Sequence, residues 1–336
     1  MTLITRRGFV ASASAFAGIG ILRFPASAAE FTYKYANDNP LTHPMGQAAL
    51  WWADRVKHES GGQMEIQVFP GGQLGSDPEM LAQLRLGGIQ FLHFAGSVLS
   101  TLVPVATIDE IGFAFPTYNV VWQAMDGELG AYIRGQVEKT GLHIFERIFD
   151  NGFHEITTSA RPITKPADLK GLKLRVPPSK LYVSTFQALG ASPTPISVAE
   201  VYSALQTKVA DGQENSLVVI EANKFYEVQK YCALTNHLWS GQWLLANGDA
   251  WQKLPKKLQD IVARNYESAV QRERAEFKRL NDSLHRKLAS QGMTFNTPDV
   301  ETFRAVLRQG GFYTQWRDTY GSGAWSKLEK YAGKLA

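Results

Sequence analysis

Gly171-Leu-Lys-Leu-Arg-Val-Pro-Pro178 is the stretch on which the fold turns. Leu172, Leu174 and Val176 alternate with Lys173 and Arg175, and a period of two predicts a short strand with one apolar face. Pro177 and Pro178 end that strand, because neither can donate to a sheet ladder. Arg175 therefore emerges at the carboxyl end of a strand, where open α/β sheets bind their ligands. Its planar fork of donors suits a carboxylate held by two parallel hydrogen bonds. Spacing alone leaves a solvated surface arginine equally open.

Before this strand the chain alternates in type. Phe31, Tyr33 and Tyr35 mark a first strand over 31–36, and Pro44 to Glu59 reads as a helix stopped by Ser60-Gly61-Gly62. Met64, Ile66 and Val68 form a second strand, ended by Pro70-Gly71-Gly72. Asp77-Pro78-Glu79 opens a helix running to Leu86, with acidic residues and a proline in its first turn. Ile89 to Phe94 is apolar enough for a central strand. Strand, helix, strand, helix, strand with short turns predicts an α/β layer of right-handed crossovers.

A second series starts near residue 150, with strands over Phe153–Thr158 and Leu172–Val176. Ser197 to Val209 reads as an amphipathic helix with Val198, Val201, Tyr202, Leu205 and Val209 on one stripe and a Ser197/Glu200 capping box. Residues 255–291 are helical almost without interruption and laced with charge, a rod of roughly 50 Å suited to bracing two domains.

The chain has 336 residues, enough for two domains with substantial cores, and its 44% hydrophobic and 20% charged content is that of an ordinary globular protein. Residues 1–28 carry Arg6, Arg7 and Arg23 and no acids, so the formal charge of +4 falls to +1 over the remainder. That near-balance gives no support for binding nucleic acid or an anionic membrane. Arg6-Arg7, the apolar stretch Gly8–Leu22 and the small residues Ala26-Ser27-Ala28 predict a cleaved export signal. Thr5-Arg-Arg-Gly-Phe9 resembles the twin-arginine type, with the general secretory route as the alternative. Cys232 is the single cysteine, so an intramolecular disulfide is excluded and a buried apolar role is expected.

Motifs for catalysis are missing. The seven histidines show no ligand-type spacing, Pro70-Gly-Gly-Gln-Leu-Gly75 lacks the lysine of a phosphate loop, and no Gly-x-Ser-x-Gly elbow occurs. No enzyme activity, metal or cofactor is called for. Trp239 and Trp243, in Leu238-Trp-Ser-Gly-Gln-Trp243, lie near the expected return between domains, and Trp239 is a candidate to cover the apolar part of a ligand.

Gly171-Leu-Lys-Leu-Arg-Val-Pro177 is followed in order by Gly190-Ala-Ser-Pro-Thr-Pro195, Glu200-Val-Tyr-Ser-Ala-Leu-Gln-Thr207, Asp211-Gly-Gln-Glu-Asn215, Lys224-Phe-Tyr-Glu-Val-Gln-Lys230 and Leu234-Thr-Asn-His237. Together with Pro70–Gly75 and Phe113-Ala-Phe-Pro116, these closely resemble the substrate-binding proteins of tripartite ATP-independent periplasmic (TRAP) transporters, the C4-dicarboxylate-binding-protein-like family. The resemblance covers essentially the whole mature chain. It implies a two-lobed α/β fold, type II-like among periplasmic binding proteins, with a long helix spanning both lobes and a cleft that closes on its ligand. Laid on this sequence, residues 29–152 with 241–280 form lobe I, and 153–240 with 281–336 form lobe II.

The resemblance also implies capture of an organic-acid anion in the Gram-negative periplasm and delivery to the small and large membrane subunits of a permease. Arg175 takes the place of the family's carboxylate-binding arginine, and Asn215 that of its cleft asparagine. Asn37, after the first strand, Asp77 and Ser97 are further candidate contacts. Many members carry a second arginine after an Asn-Gly-x, where Asn151-Gly-Phe-His154 has histidine, so His154 joins the candidates. Phe94-Ala-Gly-Ser97 and Val198 depart from members that resemble sialic-acid binders, which argues against that ligand. A monocarboxylate with a hydroxylated or aromatic body fits better. Monomer and homodimer both stay open. The rival class is a twin-arginine-exported enzyme with a bound cofactor, which would carry a chromophore or metal.

Overall fold

The computed structural model describes residues 29–336; the expected export signal over 1–28 lies outside them. Among the described residues eleven strands run β1 Phe31–Ala36, β2 Met64–Phe69, β3 Phe91–Ala95, β4 Leu142–Phe153, β5 Glu155–Thr158, β6 Lys173–Val176, β7 Ser192–Pro195, β8 Gly212–Asn215, β9 Tyr231–Ala233, β10 Trp239–Asn247 and β11 Thr294–Asn296. They form two sheets, in the orders β2-β1-β3-β10-β4 and β11-β9-β5-β8-β6-β7. In the first sheet β1 lies parallel to β2 and β3, while β10 runs antiparallel to β3 and β4. The second has β6 parallel to β7 and β8, and β5 antiparallel to β8 and β9. Each sheet is the centre of one lobe.

Among the described residues three segments join the lobes ahead of β11, and the chain crosses once more after it to place its last helix. β4 runs into β5 with His154 alone between them, and the chain returns from β9 to β10 through Leu234–Leu238. These crossovers are tied together: the His154 N–H donates to the Leu238 carbonyl at 2.9 Å, and the His237 N–H to the His154 carbonyl at 3.3 Å. Gly152, just ahead of the crossing, has φ +89°, and a Cβ there would lie 2.8 Å from the Phe277 ring. Only glycine fits both the left-handed backbone and that close approach.

The third segment is the helix Lys256–Ser290, 35 residues long. Its first half sends Leu258, Val262, Tyr266 and Val270 into the core beneath the first sheet, and its second half sends Phe277, Leu284 and Leu288 into the second lobe. Spacings of four and seven keep these residues on one face. At about 1.5–3 kcal/mol for each buried large side chain, that stripe makes the helix a brace rather than a surface decoration. It packs on the helix Pro44–Glu59 and β4 on one side, and on the helix Leu217–Ala222 and β11 on the other.

Two expectations change. The helix foreseen over Ser197–Val209 is a 3-10 turn, Val198–Glu200, followed by Val201–Gln206. Lys208 adopts φ +62°, which ends the helix and leaves Val209 54% exposed instead of on the apolar stripe. The C-terminal helix Ser322–Ala332, assigned from sequence to the second lobe, packs instead on the helices Tyr118–Met125 and Glu128–Glu138 of the first. Trp325 and Leu328 are buried in the large core there, which explains the return.

Candidate ligand-binding site

The facing ends of the two sheets enclose a narrow cavity lined by residues of both. Arg175 stands on β6, flanked by Thr194 of β7 and Gln213 of β8, and is 2% exposed. Its Nε donates to the Ile196 carbonyl at 2.8 Å, which fixes the plane of the fork. Among the described residues no carboxylate pairs directly with the guanidinium. Burial lowers its pKa, while Glu214, Asp77 and Asp38 pull the other way from a distance. A buried cation without a partner is costly, and its two terminal amino groups are the natural place for an anion.

Beside it stands a trio that sequence separates widely. Glu214, on β8, places its Oε2 2.5 Å from His154 Nδ1 and 3.4 Å from His237 Nε2. All three side chains are buried. Burial pushes the Glu214 carboxyl up, but the two histidines outweigh it and hold the pKa at about 2, so the group is an anion. A carboxylate only accepts, so His154 Nδ1 donates to it, and His154 Nε2 is buried without a partner among the described residues. His237 Nδ1 meets Thr235 Oγ1 at 2.8 Å.

The trio also has metal-ligand chemistry, with its ligating atoms within 4.8 Å of one another. Two ligands of one tetrahedral zinc, each about 2.0–2.1 Å from the ion, would stand roughly 3.3 Å apart. The 2.5 Å His154–Glu214 contact is a closed hydrogen bond with no room for an ion between.

The first lobe supplies the opposite wall. Asp38 follows β1 and accepts from Asn39 Nδ2 at 2.8 Å and Gln242 Nε2 at 3.5 Å. Burial and the nearby Asp77 push the Asp38 carboxyl up to about 7. Asp77 is raised too, chiefly by burial, while Arg175 and a hydrogen bond from Ser197 pull it down. The helix Asp77–Leu86 starts at Ser76, whose amide and hydroxyl both donate to Glu79 Oε2 at 2.8 Å. Because Ser76 caps the helix, the Asp77 carboxylate is left for the cavity. Ser197, expected to cap its own helix, meets Asp77 across the cleft instead.

Of the residues proposed from sequence, Arg175, Asn215, His154, Asp77 and Ser97 line this one cavity. Trp239 does not. Ser240 and Gln242 line the cavity from β10, and Trp239 is turned to other partners. Its indole N–H donates to Asp150 Oδ1 at 2.9 Å, and its ring packs edge-on against Trp122 at 5.4 Å. Asn37 lies behind the wall: its Nδ2 donates to the Tyr35 hydroxyl at 3.0 Å and its Oδ1 accepts the Asn39 N–H at 3.0 Å. It shapes the turn that presents Asp38 and Asn39. Sequence reading missed Asp38, Glu214 and Gln242. Asp38 and Glu214 sit at strand ends, the signal that picked out Arg175.

Residues 35–310 match the profile described as bacterial extracellular solute-binding protein, family 7. The chain is 32% identical over 282 residues to the sialic acid-binding periplasmic protein SiaP of Vibrio cholerae, covering 84% of this chain and 87% of that one. A TRAP periplasmic solute-binding protein from Sulfurospirillum deleyianum, solved with bound succinate, superposes with a TM-score of 0.84 at 31% identity, covering 90% of this chain and 99% of that one. Another, from Roseobacter denitrificans with bound L-galactonate, gives 0.81 at 31% identity, covering 85% and 94%.

Proposed function

The chain belongs to family 7 of the bacterial extracellular solute-binding proteins, and from that premise we propose that Arg175 is the anchor of a periplasmic receptor for a small organic-acid anion. The observation that carries this reading is the buried guanidinium whose terminal donors have no partner among the described residues. The ligand carboxylate takes both terminal amino groups of Arg175, His154 is held in place by Glu214 with Nε2 open to the same ligand, and the Asn215 amide lies beside them. The lobes close by bending where β4 meets β5 and where Leu234–Leu238 returns, with the long helix as the brace. The loaded receptor delivers its ligand to the small and large membrane subunits of a TRAP permease. It performs no chemistry on the ligand. The first 28 residues direct export and are removed.

A thermal-shift series on the mature protein tests the reading. A bound carboxylate stabilises the fold by mass action, about 2.7 kcal/mol at a hundredfold excess over Kd. A protein stabilised by neutral sugars and by no carboxylate would overturn it.

A further inference from the structure

We infer that the ligand is a polyhydroxylated monocarboxylate, a sugar acid of the aldonate or uronate type, and not a dicarboxylate. This rests on the carboxylate-receptor reading above and narrows it through the hydrogen-bonding groups that the wall leaves open. Arg175 supplies the open donors. The other open groups are acceptors: Glu214 Oε1 beside it, and Asn39 Oδ1, Gln242 Oε1 and Asn151 Oδ1 farther along the wall, are all buried without a partner among the described residues, and all four residues line the cavity. The amide orientations of Asn39 and Gln242 follow from Asp38, whose carboxylate takes their N–H groups and leaves their oxygens free. Asp38 and Asp77 add further acceptors to the same wall.

A buried acceptor must meet a donor or lose its hydration without compensation. The ligand therefore has to bring donors, and at several points, because these groups come from the turn after β1, the start of the helix Asp77–Leu86, β4, β8 and β10. A chain of hydroxyls does so. Each hydroxyl also accepts, which suits the neighbouring amide N–H groups. A second carboxylate brings acceptors only and sets a third negative group against Asp38 and Asp77. A single ammonium concentrates its donors on one atom and reaches one part of the wall. Sites built to hydrogen-bond a hydroxyl reject analogues lacking it by about 10⁴–10⁵.

Calorimetric titration of the mature protein decides the matter, with three sets of probes. The first is aldonates and uronates of four and six carbons; the second is hexanoate, succinate, adipate and glutamate; the third is neutral glucose. At least one sugar acid should bind about a hundredfold tighter than every acid of the second set. Any ranking in which no sugar acid leads that set by tenfold overturns the inference. In that case a tight-binding dicarboxylate, fatty acid or amino acid leaves the receptor reading standing. Binding of glucose with no acid bound overturns both. The paired change Asp38→Asn with Asp77→Asn keeps size and removes charge. It should shrink the preference for sugar acid over adipate at least tenfold, and an unchanged preference sinks the assignment of that wall. If the paired variant does not fold, the wild-type ranking alone still decides.

Discussion

The two walls of the cleft are built on opposite principles. The second lobe presents the positive charge: Arg175 with open terminal amino groups, beside His154 oriented by an ionised Glu214. The first lobe presents acceptors, Asp38 and Asp77 with the amide oxygens of Asn39 and Gln242. The same burial acts on both sides with different outcomes. Glu214 is held at about 2 by two histidines, whereas Asp38, with another acid for a neighbour, rises to about 7. One wall is set to hold an anion and the other to be completed by donors. Cleft closure brings these requirements onto a single molecule.

Removing the cation from the second wall should break this asymmetry most severely. Arg175→Ala is expected to weaken ligand binding by about 10²–10⁴-fold, from the roughly 3–5 kcal/mol attached to breaking a buried charge pair. The same change should raise the melting point of the ligand-free protein, because an unpaired buried charge disappears. Calorimetry and thermal melting read the two effects separately. Near-normal affinity in the variant would mean that another group holds the carboxylate.

The hinge between the walls comes next. Gly152→Ala forces a left-handed backbone on alanine and drives its Cβ against Phe277. A loss of about 1–3 kcal/mol is expected in denaturant unfolding. An unchanged midpoint would show that the crossover adapts freely.

The contrast in acidity predicts a pH dependence of opposite sign from the two kinds of carboxylate. Asp38, Asp109 and Asp150 are pushed up by burial to about 7, and Glu155 to about 8. A raised carboxyl favours the folded state fully below its unfolded pKa, and that advantage is lost as pH rises through the folded value. Glu214 works the other way, stabilising above its ordinary range and failing only as pH falls through about 2. The ligand-free protein should therefore melt lower at about pH 8 than at about pH 5, by on the order of 5 °C. A melting point that stays flat or climbs over that interval would show these acids to be better solvated than their burial implies.

Legibility in the sequence followed locality. The helices Pro44–Glu59 and Asp77–Leu86 could be bounded because their breakers, Ser60-Gly61-Gly62 and Gly87-Gly88, lie in the adjoining residues. The helix ending at Gln206 was overextended because apolar spacing continued to Val209 across the left-handed Lys208, which no pattern reveals. Arg175 was readable from a strand and two prolines. The His154–Glu214–His237 trio was not, because its members meet only when β5, β8 and the returning crossover are laid side by side. Ser322–Ala332 was misassigned since its buried Trp325 could satisfy either lobe by pattern alone.

Trp239 provides the smallest expected effect on binding and a clean check on which face of β10 looks into the cleft. The strand has a register shift between Ser240 and Gly241, so counting residues from a known position does not settle orientation. The hydrogen bond to Asp150 and the edge-on packing with Trp122 do, because Gln242 lines the cavity and neither Asp150 nor Trp122 does. Trp239→Phe keeps an aromatic ring but deletes the indole N–H that Asp150 Oδ1 accepts. Ligand affinity should stay within about twofold. Stability should fall by about 0.5–1.5 kcal/mol, because Asp150 Oδ1 loses one of its two donors and keeps the Gly152 N–H. A tenfold loss of affinity with unchanged stability would place the indole against the ligand and reverse the orientation of the strand.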